Sequence, residues 1–106
     1  MGLTSEEREG VLLERYRDRG VTRASELLLP REEALRFVDD CEREGLVILG
    51  MDFWAPAAGG AFMQTGAADY SSLSGPEQVA RSAAEARALL AGGVPDGGSH
   101  VSFVLD

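Results

Sequence analysis

The sequence predicts an α+β fold: a two-layer sandwich in which helices cover one face of a four-stranded sheet, with a further helix at the N-terminus. Three observations carry this. Residues 31–44 repeat apolar side chains at helical spacing, and residues 46–54, "LVILGMDFW", form an apolar run of strand length. The signals along the chain then alternate as β-α-β-β-α-β. At 106 residues the chain fits one core and one domain, residues 1–106.

Thr4 and Glu7 have capping-box spacing, which predicts a helix running to Arg19 and stopped by Gly20. Leu12, Leu13 and Tyr16 fall on its apolar side. "SELLLP", residues 25–30, is a short apolar run ended by proline and reads as a brief strand. Pro30 then suits a helix start, and Glu32 and Glu33 suit the first turn's positive dipole end. Ala34, Phe37, Val38 and Cys41 form its apolar stripe, while Arg36, Asp39, Asp40 and Arg43 face away until Gly45 ends it.

Residues 46–54 follow as a strand whose successive side chains alternate between faces. Val47, Leu49, Met51 and Phe53 lie on one face; Leu46, Ile48, Gly50, Asp52 and Trp54 lie on the other. "APAAGG" is a turn, "GAFMQTG" (60–66) a returning hairpin strand and "AADYSSLSG" a loop. Gly75 and Pro76 start a third helix through Leu90, with Ser74 and Glu77 at capping-box spacing. Its stripe is Val79, Ala83, Ala86 and Leu90, with Ser82 and Leu89 along one edge. "HVSFVLD" closes the chain as a strand with Val101, Phe103 and Leu105 on one face. A ferredoxin-like strand order is compatible with this succession, yet it would put residues 46–54 at an edge, where a two-sided apolar start fits poorly. The strand order stays open.

The formal charge is −8, from 18 acids and 10 bases, all of them arginine. Both halves of the chain are acidic, which argues against direct nucleic-acid binding. Cys41 is the single cysteine, so no internal disulfide forms. No apolar run approaches a membrane span and the N-terminus lacks a signal-peptide pattern, so the expected location is cytoplasmic.

Candidate chemistry is sparse. Cys41 and His100 could be drawn as nucleophile and base, but Cys41 lies in an apolar stripe among Asp39, Asp40, Glu42 and Glu44, which oppose a thiolate. One histidine and one cysteine make no metal site, and no cofactor is expected. "GGVPDGG" lacks a P-loop lysine and leads into a strand. Asp52 and Trp54 stand apart: they share the face that ceases to be apolar beyond Gly50, whose missing side chain would leave that surface open. Two roles remain for them, a structural cover at the sheet's end or a recognition surface built around a tryptophan.

Residues 26–54, "ELLLPREEALRFVDDCEREGLVILGMDFW", resemble the immunity protein 40 family of bacterial polymorphic toxin systems. That family looks like a short strand, a helix containing "EAL", and a strand ending in Leu-Gly-x-Asp-aromatic-aromatic. Leu49, Gly50, Asp52, Phe53 and Trp54 stand at those positions, and Met51 stands where a glycine is common. The resemblance runs more loosely through "DYSS" (69–72), "ARSAAEAR" and "SFVL", and it carries over Asp69 and Ser82.

The resemblance implies a non-enzymatic protein that binds and blocks a cognate toxin in the producing cell, with Gly50, Asp52, Trp54, Asp69 and Ser82 as partner-binding positions. Acidic inhibitors suit toxins with basic active sites, nucleases among them, because complementary fields steer association. A homodimer stays open. The alternative is an acidic interaction or regulatory module with no toxin partner, and a third class is a small-molecule binder or an enzyme without a recognisable motif. A neighbouring toxin gene separates the first two, and a deep pocket with convergent polar groups marks the third.

Overall fold

The computed structural model describes residues 2–106. The chain runs α1 (Ser5–Tyr16), a 3-10 turn (Arg17–Arg19), β1 (Val21–Arg23), β2 (Glu26–Pro30), α2 (Arg31–Arg43), β3 (Ile48–Pro56), a second 3-10 turn (Ala58–Gly60), β4 (Phe62–Asp69), α3 (Gln78–Leu90) and β5 (His100–Leu105). The α+β class is as expected, but among the described residues the sheet has five strands rather than four, in the order β1-β2-β5-β3-β4. Every neighbouring pair is antiparallel.

The added strand is β1, which forms a two-residue hairpin with β2 by pairing Arg23 with Glu26. Both turn residues take left-handed backbone, Ala24 at φ 49° and Ser25 at φ 70°. Such turns usually use Asn or Gly, because a Cβ is crowded at positive φ. Ala-Ser carries no such signal.

The order is not ferredoxin-like. β3 lies between β5 and β4, and β5 lies between β2 and β3. The two-sided apolar start of residues 46–54 thus belongs to a central strand, and a break in its pairing explains the pattern. Ile48 pairs with Leu105 and Gly50 with Val104, so Leu49 is an extra residue. This bulge reverses the alternation, and Ile48, Met51 and Phe53 all enter the core.

α1 forms the expected capping box: the Glu7 backbone N–H donates to Thr4 Oγ1 (3.1 Å) and the Thr4 N–H donates to Glu7 Oε1 (2.9 Å). It buries Leu12 and Tyr16. The Tyr16 hydroxyl donates to Asp40 Oδ2 at 2.6 Å, and its ring meets Phe37 edge-on at 5.1 Å. Asp40 is therefore half-buried beneath α1, not facing away. α2 buries the expected Ala34, Phe37, Val38 and Cys41. It ends with Gly45 at φ 74°, where Leu46 N–H donates to Cys41 O (2.8 Å) and Gly45 N–H to Glu42 O (3.2 Å). These bonds satisfy two otherwise orphaned carbonyls and turn the chain into β3.

α3 starts at Gln78, later than expected, and the Ser74–Glu77 box does not form: Glu77 is the N-cap without a side-chain bond. The helix buries Ser82, Ala83, Ala86 and Leu90. Ser82, Ala83 and Ala86 are small and let it lie close over β3, and α2 packs beside it. Arg31, at the start of α2, donates its Nε to Leu90 O at 2.7 Å and a second nitrogen to Ala91 O, satisfying carbonyls at the end of α3. Arg87 joins the same helices through Asp39 (3.0 Å) and Glu42 (2.7 Å). Among the described residues, no helix is long and apolar enough to cross a membrane.

Candidate functional site

The residues singled out on β3 are placed by its register. Gly50 stands opposite Val104 and Asp69, Asp52 opposite Ser102 and Ala67, and Trp54 opposite His100 and Gln64. Paired residues point to the same side of a sheet. Their neighbours Met51 and Phe53 point into the core under α2 and α3, so Gly50, Asp52, Trp54 and Asp69 share the opposite, outer face. Val104, 47% exposed, confirms that this end of the face is open.

Asp52 and Trp54 are both half-buried and both bonded within the face. Gln64 Nε2 donates to Asp52 Oδ1 at 2.9 Å, and Trp54 Nε1 donates to Ser102 Oγ at 3.0 Å. Ser102 is itself buried. The indole is therefore fixed by a diagonal cross-strand bond, and the carboxylate keeps a second oxygen outside that bond. Beyond Trp54, His100 packs edge-on against Phe62 at 5.0 Å, and the Arg23 guanidinium lies 5.8 Å from the Phe62 ring centre. Burial pushes the His100 pKa below its ordinary value.

At the other end, a shallow depression is lined by Leu49, Gly50, Asp52, Ala67, Asp69 and Val104. Asp69 is exposed, and hydrogen bonds from Ser71, its backbone N–H at 2.9 Å, hold the carboxyl below the usual range. Asp69 therefore stays anionic to low pH.

Two expected partner-binding positions are corrected. Ser82 is wholly buried on the helix side of the sheet. The bulge turns the Ile48 N–H away from β5 toward the side where β4 has already ended, and Ser82 Oγ accepts it at 3.1 Å while donating to Val79 O. Its role is to satisfy a buried donor. Gly50 is also buried, and a Cβ there would stand 2.8 Å from the Ala68 carbonyl oxygen. The close approach it allows is that of β4's own backbone.

The pair Cys41 and His100 is not brought together: Cys41 is buried in α2's core stripe, whereas His100 lies on the outer face. Burial, with Asp40 and Glu9 adding to it, pushes the Cys41 thiol pKa well up. Among the described residues, no group of three or more His, Cys, Asp or Glu side chains could hold a metal ion. Sequence reasoning missed Gln64 and Ser102, which fix Asp52 and Trp54. The alternation of "HVSFVLD" already put Ser102 opposite the core face; the register to β3 was the missing piece. No family model, curated protein or solved structure matches this chain.

Proposed function

We propose that the protein is a non-catalytic inhibitor that binds and blocks a cognate bacterial protein toxin through the outer face of its sheet. The observation that carries this reading is the pairing of a fixed tryptophan with outward-facing acids, Asp52 and Asp69, on the sheet face opposite α2 and α3. A tryptophan already held in one rotamer loses little entropy on contact, and a carboxylate beside it suits an arginine of the partner. The resemblance of residues 26–54 to the immunity protein 40 family supplies the toxin as the partner class. An acidic interaction module with a different partner is the competing reading.

The test is co-expression with any toxin domain that the neighbouring gene encodes. Wild type should restore growth, and the pair of variants Asp52→Asn and Trp54→Phe should each weaken binding by about tenfold or more. Asn keeps an acceptor for Gln64, whereas Phe keeps most of the apolar body but takes the indole donor from the buried Ser102 hydroxyl, so affinity is compared per folded molecule after thermal melts. Growth restored equally by the double variant, with unchanged affinity by calorimetry, would refute the assignment of this face. A neighbouring toxin that the wild type neither binds nor neutralises favours the other reading.

A further inference from the structure

We propose that the free edge of β4, together with the trough between it and α3, receives an extended cationic segment of a partner protein as a sixth strand. This deepens the reading above: it rests on the protein's acting by binding another protein, and not on that partner being a toxin.

β4 ends the strand order, so among the described residues one of its edges has no neighbouring strand. The register shows which groups it offers. Tyr70 N–H donates to Leu49 O at 2.8 Å, which makes Gly50–Asp69 and Asp52–Ala67 the pairs that exchange no hydrogen bonds. The backbone N–H and C=O of Ala67 and Asp69 therefore point away from β3. Two such residues at a spacing of two are what an added strand pairs with.

Proteins usually blunt an edge with lysine, proline, a bulge or a covering element. The bulge in β4 falls before Gly66, and residues 66–69, Gly-Ala-Ala-Asp, carry neither lysine nor proline. Beside this edge, Ala68, Asp69, Tyr70, Glu85, Ala88 and Leu89 line a trough against α3, with Leu89 40% exposed. Alternate side chains of an added strand would enter that trough, where an arginine's apolar stem would lie along Ala68, Ala88 and Leu89 and its guanidinium would reach Glu85, with the intervening valines facing the other way.

Charge selects the occupant. Glu85 is exposed in the trough, Asp69 is exposed at its rim with its side chain on the outer face, and Asp96 lies so close over Gly66 that a Cβ there would collide with its carboxylate. Arg81, a turn before Glu85, does not line the trough. A second copy of this chain would bring the same acids to the same edge, whereas a segment with arginine or lysine at alternate positions meets complementary charge.

The probe is an acetylated hexapeptide of alternating arginine and valine, titrated into the whole protein by NMR. Binding should slow exchange of the Ala67 and Asp69 amides by about tenfold or more, and the matching glutamate–valine peptide should not bind. N-methylating alternate peptide amides keeps the charge and removes the pairing donors, so it should weaken binding by about tenfold. Ala67→Pro removes an outward N–H without touching the β3 ladder, and edge strands tolerate proline, so it should do the same. Should that variant fold poorly, Glu85→Lys on the exposed flank of α3 should reverse the preference between the two peptides.

Equal binding by the N-methylated peptide, unprotected Ala67 and Asp69 amides, or no peptide binding at all would overturn the proposal. So would protection of those amides by self-association alone. Loss of toxin neutralisation on altering Asp52 and Trp54 reports on the outer face instead, so the two ideas fail separately.

Discussion

Ser82→Ala tests the account of the β3 bulge. The hydroxyl is wholly buried and accepts the Ile48 N–H at 3.1 Å. Ile48 cannot find another acceptor in the sheet, because its pairing with Leu105 leaves its N–H on the side away from β5, beyond the end of β4. Removing the oxygen leaves a buried donor unsatisfied, which costs about 1–3 kcal/mol. Val79 O, which the hydroxyl also contacts, keeps its bond within α3, so no second group is orphaned. Alanine's better helix propensity returns about 0.5 kcal/mol. The net loss is about 0.5–2.5 kcal/mol, or roughly 2–20 °C in the melting midpoint of a domain this size. Urea melts should show the loss with an unchanged slope, and the Ile48 amide should exchange faster in hydrogen-exchange NMR. A midpoint within about 1 °C of wild type, with Ile48 as protected as before, would refute the reasoning, because a loss of even about 0.5 kcal/mol moves the midpoint by roughly 2 °C or more.

Cys41, buried with a raised pKa, should be inert to thiol reagents in the native state and become reactive only on unfolding, and Cys41→Ala should cost about 1 kcal/mol in chemical melts. The Tyr70 hydroxyl is shielded from solvent and has no hydrogen-bond partner among the described residues, so Tyr70→Phe should hold or raise the melting midpoint; a clear loss would reveal a partner for that oxygen. His100 titrates below its ordinary 6.5 in the folded state, whereas the unfolded chain gains the proton near that value. Its contribution to stability is thus full above pH 6.5 and is lost as pH falls from there through the lowered folded pKa. His100→Gln should flatten the stability–pH curve in that window, measured by melts at stepped pH.

The elements with strong local signals were legible. The stripe on α2, the Thr4–Glu7 box and the alternation in β5 each follow from interactions within a few residues, and they form as read. What escaped depends on distant or atypical geometry. β1 hangs on an Ala-Ser turn at positive φ, which residue preference disfavours. The inward turn of Ile48 comes from a bulge that no period-two pattern reveals. Among the candidate residues, alternation grouped Asp52 with Trp54 correctly, but their partners Gln64 and Ser102 come from other strands and need the register. Ser82 shows the limit most clearly. A serine beside an apolar stripe reads as surface until the buried donor that it satisfies is known.

The position of β5 also bears on how a cell makes this protein. β5 separates β2 from β3 in the sheet, yet follows both in chain order. During synthesis the β1–β2 hairpin and the β3–β4 hairpin emerge first and cannot join, since the strand that belongs between them is not yet made. The stretch from Asp69 to His100 takes about 2–6 s to translate at about 5–20 residues per second. For that interval β2 and β3 each expose an unpaired edge to the crowded space around the ribosome. Slow codons over this stretch would lengthen that exposure, and a chaperone bound to the two hairpins would cover it.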